Sequence, residues 1–345
     1  MIAHWRKTVL AVSGALALAG LSAPAKAADQ ALIDAAKKEG KVTWYTALIV
    51  NQFAAPVAEA FEKKYGIKVE YVRANAAESI LRISNEAKAG KVYADVFDSF
   101  GAPSLAKEGI LESYIPDSAK ALPKQFYDPA GFWVATNLYV LTPGYNTNLV
   151  PAAQVPKTFE DLLDPKWKGK MAWGSNGSPS SAAGFVGVVL AEMGDEKGMT
   201  YLRKLAEQRV APIPLAARQV LDQVIAGEYS IALQIFNNHT IISKQQGAPS
   251  NWIPMQPALG VLSVFSLTKN GPSKNAGKLL IDFLVSEEGQ KIFKAADYMP
   301  VDPKVEPNDP ALRPDGKNFR AIFFSPEEVD QKLPVWNKIY ADIFR

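Results

Sequence analysis

The sequence predicts an α/β protein with two lobes that are joined by hinge strands around a ligand cleft. Three observations predict this fold. Segments with strand-like and helix-like patterns alternate along most of the chain. The length of 345 residues exceeds what a single hydrophobic core usually fills, which favours two units. Two long extended stretches connect one α/β unit to the other, as hinge strands would.

The first unit alternates strands and helices between residues 29 and 108. Gly40, Gly66 and Gly90 each follow a helical pattern and mark its end. Strands are predicted at Lys41–Thr46, 67–72 and 94–99, and helices at 29–39, 53–65, 78–89 and 103–108. This βαβαβ order predicts a mostly parallel sheet with helices on both of its faces.

The second unit lies between two crossings. Residues 132–145 read as the outward crossing and residues 260–267 as the return. The pattern between and after them predicts helices at 159–163, 180–193, 195–207, 218–226, 274–284 and 287–296 and strands at 171–173 and Ile231–Phe236. We therefore assign residues 28–138 and 262–312 to lobe 1, residues 139–261 and 313–345 to lobe 2, and the hinges to 138–141 and 260–263.

The N-terminal segment has the pattern of a secretory signal peptide. Arg6 and Lys7 precede an uncharged apolar run at 8–21, and Ala25 and Ala27 are small residues at the positions that a signal peptidase reads. The alternative is a membrane anchor, but the run is shorter than the ~20 residues that span a bilayer. We expect residues 1–27 to be removed and a soluble protein to be released into the periplasm.

Composition excludes several classes of function. The chain has no cysteine and only two histidines, His4 and His239, which excludes thiol nucleophiles and sites with several cysteine or histidine ligands. Residues 1–27 contain three of the 38 basic residues and no acid, so the remaining chain has 35 basic and 35 acidic residues. No basic stripe with aromatic residues is present, so nucleic acid is not an expected partner. We expect a monomer without a cofactor or resident metal.

Three motifs indicate a family. Residues 155–173 read Val-Pro-Lys-Thr-Phe-Glu-Asp-Leu-Leu-Asp-Pro-Lys-Trp-Lys-Gly-Lys-Met-Ala-Trp, residues 93–99 read Tyr-Ala-Asp-Val-Phe-Asp-Ser, and residues 277–290 read Gly-Lys-Leu-Leu-Ile-Asp-Phe-Leu-Val-Ser-Glu-Glu-Gly-Gln. Together they resemble motifs of periplasmic solute-binding proteins of ABC importers (extracellular solute-binding family 1). The resemblance implies a type II periplasmic-binding-protein fold, cleft closure on the solute, docking on an inner-membrane permease, and no catalysis.

The ferric-binding branch of that family looks nearest, but its iron ligands are absent. Members of the branch hold iron with a histidine after the first strand, a glutamate after the Asp-Val-Phe strand and two adjacent tyrosines. The matching positions here are Ile49, Phe100, Asn237 and Asn238. These side chains lack the phenolate and carboxylate oxygens that Fe³⁺ prefers. Binding of ferric iron, or of a chelated metal whose chelator supplies most donors, stays as the alternative.

Ligands of open α/β sheets bind at the carboxyl ends of strands and at the helix N-termini that follow. Applied to the predicted strands, this rule selects residues after the first, third, fourth and fifth of them. The candidate ligand-binding residues are Tyr45, Thr46, Ser99, Phe100, Ser175, Gly177, Ser178, Ser180, Ser181, Arg218, Asn237 and Asn238.

Residues 174–181 are the most informative of these segments. Four serines, an asparagine and two glycines precede an apolar helix, so backbone amides and hydroxyls could receive an anion. The alternative is an ordinary N-cap, for which one serine suffices. Arg218, at the start of another helix, would clamp a carboxylate, phosphonate or phosphate if it faced the cleft. Otherwise it is a solvated surface arginine.

A secreted serine hydrolase is the alternative from another class. It would need His239 as a general base beside Ser178 or Ser180. The segment around these serines lacks the second glycine of a Gly-x-Ser-x-Gly turn, and Pro179 follows the first serine. The sequence therefore favours a binding protein for a small organic anion over a hydrolase.

Overall fold

The computed structural model describes residues 29–344, so the expected signal peptide lies outside the described residues. The strands are β1 (Lys41–Thr46), β2 (Lys68–Arg73), β3 (Val96–Asp98), β4 (Leu111–Glu112), β5 (Val134–Asn146), β6 (Met171–Gly174), β7 (Ala211–Ile213), β8 (Ile231–Phe236), β9 (Ser250–Trp252), β10 (Ala258–Thr268), β11 (Met299–Pro300) and β12 (Ala321–Phe323). The helices are α1 (Gln30–Glu39), α2 (Ala55–Tyr65), α3 (Ala76–Lys88), α4 (Ala102–Lys107), α5 (Ala182–Met193), α6 (Asp195–Ala206), α7 (Ala217–Ala226), α8 (Asn237–Gln245), α9 (Lys274–Val285), α10 (Glu287–Ala295) and α11 (Pro326–Phe344).

One curled sheet runs through the described part of the chain in the order β2-β1-β3-β10-β5-β8-β6-β7. At one end β1 pairs in parallel with β2 and β3, and at the other end β6 pairs in parallel with β7 and β8. The long strands β5 and β10 pair antiparallel with each other in the middle. The predicted two-lobed, type II α/β fold is confirmed.

Each parallel end of the sheet has its own hydrophobic core, and these two cores define lobe 1 and lobe 2 here. The lobe 1 core contains Trp44, Phe97 and Phe283, and the lobe 2 core contains Trp173 and Phe185. β5 and β10 supply buried side chains to both cores. In β5, Val140 packs in the lobe 1 core and the next residue, Leu141, packs in the lobe 2 core. The hinge positions stay a prediction, since motion is required to test them.

The C-terminal helix α11 belongs to lobe 2, where its Trp336 and Tyr340 are buried in the core. It packs on α5 because Gly187 leaves room for the Trp336 indole, which a Cβ on that glycine would meet at 2.7 Å. The helix also contacts lobe 1 through an ion pair of 2.7 Å between Lys107 Nζ and Asp330 Oδ2. This helix was not among the elements that the sequence pattern predicted.

Several element boundaries differ from the prediction. The helix predicted at 53–65 begins with a π-helical turn at Val50–Ala54, and α2 follows it. Residues 237–239, for which the pattern predicted no helix, start α8 directly after β8. The predicted helix at 159–163 is a 3₁₀ turn at Glu160–Leu163. Within residues 29–344 no helix is both long and apolar enough to span a membrane.

Candidate ligand-binding cleft

A cavity of about 210 Å³ lies between the lobes, where the carboxyl ends of strands from both lobes meet. Lobe 1 lines it with residues that follow β1, β2 and β3, and lobe 2 lines it with residues that follow β6 and β8. The lining residues from the two lobes are Ala47, Leu48, Ala76, Asp98, Ser99, Phe100, Pro179, Ser180 and Phe236. Strand ends are where α/β sheets bind ligands, so this cavity is the candidate cleft.

The two long strands that connect the lobes, β5 and β10, form the inner wall of the cavity. β5 contributes Tyr139 and β10 contributes Val261, Ser263 and Val264. The Tyr139 ring packs against the Phe236 ring with 5.1 Å between centroids, which joins β5 to the end of β8. Burial raises the pKa of the Tyr139 hydroxyl well above its usual value, so the group stays protonated and is able to donate a hydrogen bond.

Asp98 has the only carboxylate among the described residues that line this cavity, and none of them is a lysine or arginine. Its side chain is buried at the end of β3. Oδ1 accepts a hydrogen bond of 2.9 Å from the Ala47 amide, and Oδ2 accepts one of 3.0 Å from Trp44 Nε1. Burial raises the pKa of Asp98 to about 7, although these donors and the Thr46 hydroxyl oppose the shift.

The serine-rich loop before α5 is held by its own polar groups. Ser178 Oγ donates to Asn176 Oδ1 over 2.8 Å and lies 3.1 Å from Ser180 Oγ, while Ser181 Oγ donates to the Ser178 carbonyl over 2.6 Å. Ser181 is the N-cap residue, but its hydroxyl does not cap the helix. In residues 29–344 the amides of Ala182 and Ala183 therefore have no acceptor, as at an uncapped helix start.

A second helix begins at the cavity from the opposite lobe. α3 starts at Ala76, which lines the cavity, and it has a capping box formed by Asn75 and Glu78. The N-terminal ends of α3 and α5 therefore reach the same space from the two lobes. Both ends carry partial positive charge from their helix dipoles.

Arg73 supplies a full positive charge beside the cleft. It ends β2, in register with Thr46 of β1, and its side chain is exposed. It forms no ion pair and no side-chain hydrogen bond with any residue in the described range. Burial raises the pKa of the nearby Tyr298 hydroxyl, and the Ile49 amide and the Arg73 charge act against that shift.

Some predicted site residues do lie at the cavity. Ser99, Phe100 and Ser180 line it. Thr46 and Ser181 are buried beside it, where Thr46 Oγ1 accepts a 3.0 Å hydrogen bond from the Leu48 amide. The remaining members of the loop, Ser175, Gly177 and Ser178, lie outside its lining. The carbonyl of Gly177 accepts a 2.9 Å hydrogen bond from Asn337 of α11, which anchors the loop.

Tyr45, which the sequence places at the cleft, does not line the cavity. Its hydroxyl donates a 2.8 Å hydrogen bond to Glu86 Oε1 on α3, and the Arg82 guanidinium lies 4.5 Å from its ring centroid. The reason is strand alternation: neighbouring side chains of β1 point to opposite faces, so Thr46 and Tyr45 cannot both approach the cleft.

The clamp expected between Arg218 and the serine-rich loop is not formed in this structure. On α7, Nη2 of Arg218 donates to Asp222 Oδ1 over 2.8 Å, and Nη1 donates to Ser243 Oγ over 3.1 Å. Arg218 does not line the cavity. Asp222 lies four residues further along α7, and side chains four residues apart on a helix are neighbours. The Arg218 guanidinium therefore pairs with the Asp222 carboxylate.

The side chains of Asn237 and Asn238 are hydrogen-bonded to other parts of the protein and do not line the 210 Å³ cavity. The side-chain amides of Asn237 and Asn238 donate hydrogen bonds of 3.0 Å to the carbonyls of Leu312 and Asp297, respectively. Both asparagines line a separate cavity of about 110 Å³. In this structure the two side chains therefore join α8 to lobe 1, and they do not line the 210 Å³ cavity.

Neither the hydrolase nor a protein-built metal site has a geometric basis in residues 29–344. Burial lowers the pKa of His239 to about 4, with a further contribution from the Arg218 charge, so the imidazole is neutral. Its Nδ1 has no hydrogen-bond partner there, and no hydrogen bond joins it to Ser178 or Ser180. The same residues contain no cluster of three His, Cys, Asp or Glu side chains that could hold a metal ion.

Two α/β lobes, two long strands that connect them and a cavity at the strand ends define a solute-binding protein of the ABC-importer type. Residues 92–322 match the model of the family described as bacterial extracellular solute-binding protein. This match covers more than half of the chain, so the chain belongs to that family.

Relatives and solved structures agree with this assignment. The chain is 27% identical over 320 residues to the putative 2-aminoethylphosphonate-binding periplasmic protein of Salmonella typhimurium, covering 87% of this chain and 85% of the relative. It is 27% identical to the major ferric iron-binding protein of Neisseria meningitidis serogroup B, covering 74% and 79%. The periplasmic binding protein AfuA of Actinobacillus pleuropneumoniae, solved with fructose-6-phosphate bound, has the same fold, with a TM-score of 0.72, 21% identity and coverage of 88% and 98%.

Proposed function

We propose that this protein captures a small organic anion, with a carboxylate, phosphonate or phosphate group, and delivers it to an ABC permease at the inner membrane. The solute occupies the 210 Å³ cavity between the lobes. Drug-sized ligands usually need roughly 300–1,000 Å³, so a cavity of this size favours a smaller solute. The proposed role is binding without catalysis, by a periplasmic monomer that closes on its ligand.

The observation that carries this proposal is the meeting of two helix N-termini at one cavity. Ala76 of α3 and Ser180 before α5 both line it, one from each lobe. The amides of Ala182 and Ala183, which have no acceptor within residues 29–344, lie behind Ser180 at the second of these ends. An anion between them would be bound by both lobes at once, so it would stabilise the closed arrangement over an open one.

The chemistry of the relatives supports a phosphonate or a phosphate. One relative is named for 2-aminoethylphosphonate, and the similar solved structure holds a sugar phosphate. An aminoalkylphosphonate is the first candidate because it is the smaller of the two. Ferric iron is the weaker candidate: Ile49, Phe100, Asn237 and Asn238 stand at the family's ligand positions, and none is an anionic oxygen donor.

A thermal-shift screen of the purified secreted protein tests the proposal. The panel contains 2-aminoethylphosphonate, a hexose phosphate, a dicarboxylate and ferric citrate. A ligand at 100 times its Kd adds roughly 2.7 kcal/mol to the free energy of unfolding, which gives a clear rise in Tm. A rise with ferric citrate alone, or with none of the organic anions, would overturn the proposal. Ester and phosphate substrates included in parallel should show no turnover.

A further inference from the structure

We propose that the solute carries an ammonium group as well as its anionic end, and that the Asp98 carboxylate recognises this ammonium on the lobe 1 wall of the cavity. The inference rests on the proposed function, because it takes the 210 Å³ cavity as the solute site. It adds the charge pattern of the solute and a residue that selects it.

Asp98 places a carboxylate at the cavity, and no cationic residue in the described range pairs with it. The residue is only 4% exposed, yet it lines the cavity. Its oxygens accept from neutral groups alone: the Ala47 amide, the Trp44 indole, the Thr46 hydroxyl and the backbone amide of Asp98 itself. None of these donors carries a charge, so none of them supplies a counter-charge to the carboxylate.

Within residues 29–344 no positively charged side chain balances this carboxylate. The titratable groups that interact with it electrostatically, Tyr139 of β5 and Tyr298 before β11, are neutral hydroxyls whose pKa values burial raises. Arg73 lies at the end of β2 and is not a lining residue. A buried carboxylate without a counter-charge is costly, and its raised pKa reflects this cost. A solute ammonium would provide the missing charge inside the cavity.

A purely structural role accounts for Asp98 less well. A neutral hydrogen-bond acceptor could hold the Ala47 amide and the Trp44 indole at the end of β1, and no charge would then be buried. Against a solute that is only anionic, a carboxylate at this place would add repulsion in a water-poor cavity. With a zwitterionic solute the same carboxylate attracts one end, while the starts of α3 and α5 attract the other. The two ends of the solute would then be distinguished by opposite charges in the protein.

Isothermal titration with three matched probes tests the inference on the full secreted chain. The probes are 2-aminoethylphosphonate, ethylphosphonate, which lacks the ammonium, and ethanolamine, which lacks the anion. A hydrogen bond between charged groups in a buried site predicts about a 10- to 100-fold preference for 2-aminoethylphosphonate over ethylphosphonate. Equal affinity of the wild type for the two phosphonates would overturn the inference and leave the anion proposal standing.

Asp98→Asn should abolish this preference, and Asp95→Asn is the matched control. Asp95 is also a buried acid held by backbone amides, of Thr43 and Ser273, but it does not line the cavity. A preference that survives in Asp98→Asn would overturn the assignment. If Asp98→Asn does not fold, the comparison of the two phosphonates on wild type still decides whether an ammonium is recognised.

The third probe separates this inference from the proposed function. If ethanolamine binds in an Asp98-dependent way and ethylphosphonate does not bind, the ammonium site is supported and the anion proposal fails. If none of the three probes binds, the ammonium inference is overturned.

Discussion

Gly184, in the first turn of α5, lies so close to Pro179 that a Cβ on Gly184 would overlap the Pro179 carbonyl oxygen. The bare backbone of this glycine allows the serine-rich loop to fold against the helix. Pro179 and Ser180 line the cavity as a result. The position of these lining residues is therefore set by a glycine that does not itself line the cavity.

Gly184→Ala should displace Pro179 and Ser180 and weaken solute binding. Overpacking of this kind typically costs about 1–3 kcal/mol, and we expect a similar loss in binding free energy, or roughly tenfold in Kd, because the loop moves. Titration calorimetry measures the affinity and urea unfolding measures the stability. Gly198→Ala on α6 is the control, since the nearest atom is the flexible end of Leu190, at 3.0 Å. Unchanged affinity in Gly184→Ala would show that the loop does not contact solute.

Solute binding should shrink the protein in solution. β5 and β10 supply buried residues to both lobe cores, and the residues at which they pass between the cores, near Leu141 and Leu262, are the expected hinges. Closure around a solute brings the lobes together, so the radius of gyration from small-angle X-ray scattering should fall. An equal concentration of a compound that gives no thermal shift is the control. An unchanged radius at saturating solute would contradict a closing cleft.

Fe³⁺ added to the purified protein should give no tyrosinate-to-iron charge-transfer band. The family position of the adjacent tyrosines holds Asn237 and Asn238, and both asparagine side chains are hydrogen-bonded to backbone carbonyls. Tyr139 and Tyr298 are nearby phenols, but burial raises the pKa of each, which opposes phenolate formation. Absorption spectroscopy with stoichiometric ferric nitrilotriacetate is the measurement. A visible band would mean that other tyrosines bind iron.

Local patterns predicted most of the longer elements of the fold, apart from α11. The pattern predicted Lys41–Thr46 and Ile231–Phe236 with the bounds that the structure has, because both strands are mostly buried, and the second lies between the polar residues Ser230 and Asn237. Short strands had no such signal. Ala321–Phe323 is a strand because it pairs with β10, a partner distant in sequence. The helix Pro326–Phe344 contains Pro334, which argues locally against a helix although tertiary packing keeps it helical.

The candidate site was predictable in position but not in side-chain direction. The strand-end rule led to Ser99, Phe100 and Ser180, and it could equally have selected Asp98, which directly ends β3. Tyr139 and Ser263 lie within long hinge strands, where no local feature marks them as lining residues. Arg218 was misplaced because its partners, Asp222 and Ser243, depend on how α7 and α8 pack.

Protonation of His239 in the unfolded chain should make a destabilising contribution as the pH falls. Burial lowers its pKa to about 4, from an ordinary 6.5, so below pH 6.5 the unfolded chain takes up a proton that the native state does not. The stabilising contribution of the neutral imidazole is lost as the pH falls from 6.5 to 4, and it amounts to roughly 3 kcal/mol. Asp95 and Asp98 act in the opposite direction, because burial raises the pKa of each carboxyl, to about 6 and about 7.

The His239 contribution is isolated by comparison with His239→Gln. Urea unfolding of both proteins at several pH values between 4 and 7.5 gives the difference in the free energy of unfolding. Wild type should lose stability relative to the variant as the pH falls, because glutamine takes up no proton in either state. A difference that does not change with pH would contradict a buried neutral histidine.

Arg73 and Arg218 should differ sharply in their effect on anion binding. Arg73 ends β2 beside the cleft and has no ion-pair partner in residues 29–344, whereas Arg218 is paired with Asp222 at 2.8 Å. The unpaired charge of Arg73 beside the cleft attracts an incoming anion, and Arg73→Ala removes that attraction. The variant should therefore weaken binding about 3- to 10-fold, with the larger effect at low salt. Arg218→Ala should leave the Kd within about twofold, since that guanidinium does not line the cavity.

Both variants remove one positive charge from the same chain, so calorimetry at 20 and 200 mM salt separates local from overall charge effects. A clamp at Arg218, as the sequence alone predicts, would instead cost roughly 30-fold or more. That loss in Arg218→Ala, together with normal binding by Arg73→Ala, would show that the solute is held on the α7 side and that the 210 Å³ cavity is not its site.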